Sequence, residues 1–141
     1  MGFTQSENYY QMIGGKFVAH PGKPDAMRTG DETDFFIRHT IEFTEQGKVD
    51  EITRGFSDFE LTTEQYWLLT DSYMNVLATT TQSSVEGDAW KLPVTSPAIW
   101  SRQWGVGRIF ICSPGHNLDV VSHPTITQII HNGILWATRN R

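Results

Sequence analysis

Two histidines in this 141-residue chain each close a short apolar run at a turn, His20 and His116. Histidine changes charge near neutral pH, so at a strand end it could take a proton, give one, or ligate a metal. The second is the sharper case. Gly107-Arg108-Ile109-Phe110-Ile111-Cys112 is compact, with β-branched and aromatic members; Ser113-Pro114-Gly115 breaks it and delivers His116. The pattern predicts a buried strand whose loop lies at the carboxyl edge of an α/β sheet, where ligands gather. His20 follows Lys16-Phe17-Val18-Ala19 in the same way, and Pro21 restricts the backbone behind it. Glu64 and Tyr66 are two residues apart. In an extended segment they point the same way and could bind sugar hydroxyls or orient a histidine. If His20, Glu64 and His116 met, they would form a 2-His-1-carboxylate set able to take a divalent metal, although spacing alone does not bring them together. Two carboxylates placed for ordinary glycoside hydrolysis are not identifiable.

Other reactive side chains read as structural. Cys112 precedes His116 by a few residues, but it lies inside the apolar run, where a thiol is an inert core group. His39 falls between Ile37 and Ile41 on an apolar face and reads as a core or cross-strand residue. His123 belongs to a helix start, and His131 to the surface or packing of that helix. Trp67, Trp90, Trp100, Trp104 and Trp136 could stack on sugar rings, yet core packing is the expected role for most of them.

The elements that must position these groups follow from periodicity. Residues 9–13 predict a short helix stopped by Gly14-Gly15, and residues 16–19 a short strand. Residues 23–34 are polar and read as a solvated loop. Residues 35–43 alternate, with Phe35, Ile37, Ile41 and Phe43 on one face, and predict a half-buried strand. Further extended pieces begin at residue 59 and span residues 74–79. Residues 98–104 and 108–112 form two strands around Gly105-Val106-Gly107, a β-hairpin pattern. Ile126, Ile129, Ile130, Gly133, Ile134 and Ala137 repeat at helical spacing, with Ser122 as expected N-cap and Pro124 in the first turn. Strands outnumber what so few helices can cover. Either the sheet is mixed or a helix-rich part of the fold is missing.

Composition bounds the partners. The net charge is −5, and no basic cluster offsets it, which argues against nucleic acid. No apolar run is long enough to cross a bilayer, and the first residues are not a signal peptide. A single cysteine excludes an internal disulfide and favours a reducing, cytoplasmic setting.

Several segments together resemble the trehalose-utilisation (ThuA-like) family. They are Ile13-Gly14-Gly15-Lys16-Phe17-Val18-Ala19-His20-Pro21; Ile52-Thr53-Arg54-Gly55 followed by Phe59; Thr63-Glu64-Gln65-Tyr66; Val76-Leu77-Ala78; Pro97-Ala98-Ile99-Trp100; and the stretch from Ser101-Arg102 through Gly107-Arg108-Ile109-Phe110, Gly115-His116 and His123-Pro124 to Asn132-Gly133-Ile134-Leu135-Trp136-Ala137. Glu51 stands where the family usually has proline, and Thr63 where it has an acid. The resemblance implies a class I glutamine amidotransferase-like α/β fold with an open, flavodoxin-like sheet. Residues 1–141 would be one partial domain, the C-terminal two-thirds, with mixed strands and a long C-terminal helix. Removing N-terminal strands would expose a sheet edge, so a homo-oligomer is expected to cover it. The resemblance also implies carbohydrate metabolism, with a disaccharide or keto-glycoside as substrate. In that reading His116 is the acid/base, His20 its partner or a ligand, and Glu64 with Tyr66 the substrate orienters; no cofactor is required, though a divalent metal is possible. The alternatives are a non-catalytic sugar-binding or assembly module and an inactive fragment of a larger enzyme.

Overall fold

The computed structural model describes residues 6–138. The chain opens with helix α1 (Glu7–Ile13), whose N-cap Ser6 accepts from the Tyr9 amide. Gly14 ends it at φ +83°, a conformation that favours glycine. Strand β1 (Gly15–Ala19) follows and pairs antiparallel with β4 (Trp67–Thr70) in a small ribbon of its own.

The main sheet has five strands in the order β3-β2-β5-β6-β7: β2 (Phe36–Phe43), β3 (Phe59–Glu64), β5 (Asn75–Gln82), β6 (Val94–Trp104) and β7 (Gly107–Cys112). Every pairing among the described strands is antiparallel, so the expected mixed sheet is not what forms. The connections explain this. Parallel neighbours need long crossovers, whereas β6 and β7 are joined by Gly105-Val106 alone, with Gly105 at φ +58°. The β2–β3 connection is longer and does not by itself set the strand direction; it carries the short helix α2 (Glu45–Val49), whose N-cap Thr44 accepts from the Gly47 amide at 2.9 Å. Gly47 is required there because a Cβ would overlap the Leu77 carbonyl of β5.

Helix α4 (Pro124–Thr138) covers one face of this sheet. Ile126 and Ile129 are fully buried with Ile41, Ile52, Leu77 and Ile99 in the core. Gly133 lets the Phe110 ring of β7 approach the helix, where any side chain would collide with it. Ile134 is 55 % exposed, because the apolar stripe outruns the sheet it covers. The expected N-cap role of Ser122 is corrected. A short helix, α3 (Leu118–Val121), precedes α4, is capped by Asn117, and uses Ser122 as its C-cap.

Two further expectations change. Strand β7 is an edge strand with half-buried residues, not a fully buried one, since α4 covers one face and nothing pairs its outer side among the described residues. The polar segment 23–34 is the solvent-exposed stretch expected, anchored at its end by buried Asp34, which accepts from the amides of Thr29 and Gly30 at 2.8 and 2.7 Å. Phe35 ends the 3-10 turn Glu32–Phe35 and does not join β2. Trp100 is core and donates its indole N–H to the Ile13 carbonyl, tying α1 to the sheet, whereas Trp104 is largely exposed.

Candidate functional site

Glu64 ends β3, and strand alternation aims its side chain and that of Tyr66 to the same side. The Glu64 carboxyl is mostly buried and gathers three groups on one oxygen. The Tyr66 hydroxyl donates to Oε2 at 2.8 Å, His116 Nδ1 lies 2.9 Å from it, and His20 Nε2 lies 3.5 Å away. The four residues singled out in the sequence therefore converge in space. His20 arrives just past the end of β1, and His116 in the loop after β7.

Each arrival has a local cause. The Ser113 amide and hydroxyl both bond the Ala98 carbonyl, at 2.9 and 3.0 Å, which fixes the start of the loop carrying His116. Phe36 meets the His116 ring edge-on at 5.4 Å. His20 is held by its Nδ1, 3.2 Å from the Gln65 carbonyl. Around its ring stand Phe17 at 4.6 Å, Tyr66 at 4.7 Å and Phe35 at 5.6 Å. Of these neighbours Tyr66 was singled out in the sequence, whereas Phe17, Phe35 and Gln65 were not assigned to the site. The available signal was the uninterrupted Glu64-Gln65-Tyr66, in which the middle residue must face the other way.

Electrostatics and burial act together on the phenol. Burial first, then the hydrogen bond to Glu64 and the charge of that carboxylate, hold Tyr66 protonated well above the ordinary tyrosine range. Glu64 and Tyr66 thus satisfy each other and the imidazoles. A histidine whose Nδ1–H is donated to a carboxylate keeps Nε2 free for proton transfer, the logic of an acid/base histidine oriented by a carboxylate. A metal reading gains no support from the geometry: among the described residues no group of three or more His, Cys, Asp or Glu side chains is arranged to hold an ion. His20, Glu64 and His116 are arranged as hydrogen-bond and ion-pair partners of one another.

The family comparison agrees with the motif order. The family model described as ThuA, trehalose utilisation, matches residues 1–137. The chain belongs to the ThuA family. No curated protein and no solved structure matched it. Family membership associates the chain with trehalose utilisation and hence with carbohydrate metabolism. None of the described helices is long and apolar enough to cross a membrane.

The remaining candidates lie apart from the cluster. Cys112 ends β7 half-buried against the core, its thiol near the Pro114 carbonyl at 3.6 Å, and desolvation pushes the thiol up to about 12. His39 is buried on β2, bonded to the Ile37 carbonyl, and its burial lowers its pKa. His123 stacks on Phe59 with ring centroids 5.3 Å apart, and His131 is an exposed neighbour of Gln128.

Proposed function

We propose that this ThuA-family chain acts on a disaccharide or keto-glycoside by proton transfer at His116. The observation that carries the reading is the single Glu64 oxygen shared by Tyr66 at 2.8 Å and His116 at 2.9 Å. With its Nδ1 proton directed to Glu64, His116 offers Nε2 as a base toward a sugar hydroxyl, or toward a C–H made acidic by an adjacent carbonyl. In a keto-glycoside the electron pair of the broken C–H expels the glycosidic oxygen β to the carbonyl, and the same nitrogen returns the proton to that leaving oxygen as an acid. Tyr66 stays protonated and holds the carboxylate in one rotamer. His20, with its Nδ1 held at the Gln65 carbonyl, presents Nε2 to the same Glu64 oxygen and forms an ion pair with it whenever the ring is protonated.

The division of labour differs from that implied by the family resemblance in one respect. Glu64 and Tyr66 act by positioning the imidazoles, since both are turned toward them, and substrate contact falls to the histidines. The test is turnover of trehalose and of its 3-keto derivative by the intact chain, followed by chromatography of the products. His116→Gln should lower kcat by about 100-fold or more, in keeping with the size of general acid–base effects, while leaving KM within a few-fold. Unchanged kcat in His116→Gln overturns the assignment. Absence of turnover by the wild type on either sugar overturns the enzyme reading and leaves a binding module.

A further inference from the structure

A second polar cavity lies on the opposite side of the Glu64-Gln65-Tyr66 segment. Strand β2 is paired to β3 from Phe36 to Ile41, but to β5 only at Glu42 and Phe43. From there the two strands part, and β5 continues toward Gln82 paired only with β6. The sheet is therefore split like a wedge. The opening is a groove of about 760 Å³ between β2, the Pro21–Pro24 turn and the 81–90 loop. That volume is typical of a small-molecule site, for which the range is about 300–1,000 Å³.

Two residues that line the groove carry buried polar atoms with no protein partner. Gln65 lines it and is 2 % exposed; its Nε2 donates to Thr80 Oγ1 at 2.8 Å, but its Oε1 has no partner. Trp90 also lines it, and its buried indole N–H is likewise without a partner. A buried acceptor or donor left unsatisfied is costly, so the pair favours whatever supplies both a donor and an acceptor. Hydroxyl groups do both. The charges on the rim cancel in kind, with Lys23, Arg28 and Arg38 against Glu42, Glu86 and Asp88. An anionic or cationic ligand gains nothing net from such a rim, and a neutral polyhydroxyl ligand loses nothing.

We propose that the wedge between β2 and β5 is a glycosyl-binding subsite distinct from the His116 cluster, with Gln65 and Trp90 as its recognising side chains. The choice of a sugar rests on the carbohydrate reading above; the existence and place of the subsite rest on the groove and its two unpartnered groups. The subsite communicates with the cluster through one residue. The Gln65 side chain faces the groove, while its carbonyl holds His20 Nδ1 at 3.2 Å. A ligand that bonds the amide therefore also sets the residue that positions His20.

The experiment titrates the full chain with trehalose and with glucose, following the indole N–H resonances by heteronuclear NMR and assigning Trp90 from a Trp90→Phe sample. The Trp90 resonance should shift on titration. Trp90→Phe, followed at the Trp67 indole that packs on residue 90, and Gln65→Leu should each weaken binding at least tenfold, whereas His116→Gln should leave the Trp90 shift and its midpoint unchanged. A midpoint lost in His116→Gln but kept in Trp90→Phe would overturn the subsite and leave the catalytic assignment standing. A sugar-dependent Trp90 shift without turnover by the wild type would do the reverse. No shift of Trp90 with either sugar up to 50-fold molar excess over any midpoint seen elsewhere in the spectrum, or up to saturating sugar where none is seen, overturns the proposal. Circular dichroism of Gln65→Leu, whose smaller apolar side chain enters the same space, separates lost binding from lost fold.

Discussion

Removing one hydroxyl tests whether Glu64 is the shared acceptor at the heart of the site. Tyr66→Phe deletes the 2.8 Å bond to Oε2 but keeps the ring against His20 and Phe17. A hydrogen bond to an ionised group contributes about 1.5–3 kcal/mol, so the variant should lose roughly that much stability. Glu64→Gln keeps the shape and replaces charge-assisted bonds to Tyr66 and His116 by neutral ones of about half the strength, a loss of about 1–3 kcal/mol over the two. Because both substitutions weaken the same bond, the double variant should fall short of the sum by about 1 kcal/mol, within the range of about 0.5–3 kcal/mol measured for residues in contact. Urea unfolding at pH 7, extrapolated to water, supplies all four numbers. The pH dependence gives a second reading of the same bond. The folded state holds the Tyr66 proton more tightly than the unfolded chain does, so this stability is complete below the ordinary tyrosine value of about 10 and is lost as pH rises above it. Wild type should therefore lose more stability than Tyr66→Phe on going from pH 9 to pH 11. Additivity within about 0.3 kcal/mol, together with parallel alkaline profiles, would refute the shared-acceptor geometry.

Two further outcomes follow from buried titratable groups. Burial lowers the pKa of His39, so its contribution is present above the ordinary histidine range and is lost as pH falls through the lowered value; urea midpoints between pH 7 and pH 5 should fall more steeply for wild type than for His39→Gln, and equal slopes would contradict its burial. Cys112, with its thiol pushed up to about 12, holds almost no thiolate at pH 8 and should react with a thiol reagent far more slowly than a free cysteine does; labelling of the folded protein at the rate of free cysteine, timed by absorbance, would contradict the raised value.

Legibility in the sequence followed the range of the interactions. Alternation in Phe36–Phe43 and the helical stripe of Pro124–Thr138 were visible because each depends on residues a few positions apart. The strand-ending histidines were visible for the same reason, as apolar runs broken by turn residues. Sheet order was not, since β2 lies between β3 and β5 through long-range pairing that leaves no local pattern. Ser122 failed as an N-cap because Asn117 had already started a helical turn, a competition between two capping residues that the sequence alone does not rank. The antiparallel character of the sheet was likewise hidden. Strand surplus suggested a mixed sheet, but chain connections set direction, and their true lengths emerge only once β4 and α2 are placed. At the site, Glu64 and Tyr66 were legible as a same-face pair, whereas the aromatic surroundings of His20 come from strands and turns distant in the chain.

One carboxylate oxygen collects an imidazole delivered after β1 and another delivered after β7, elements at nearly opposite ends of the chain. No local fragment contains the set, and a growing polypeptide cannot possess it until residue 116 has been added and the intervening strands have closed. Chains dominated by such distant pairings fold slowly, so recovery of chemistry after denaturation should trail recovery of secondary structure and coincide with final closure. The constellation thereby works as an internal completeness check: a molecule whose strands have not all closed lacks the shared acceptor, and on the proposed reading it would lack the oriented base as well.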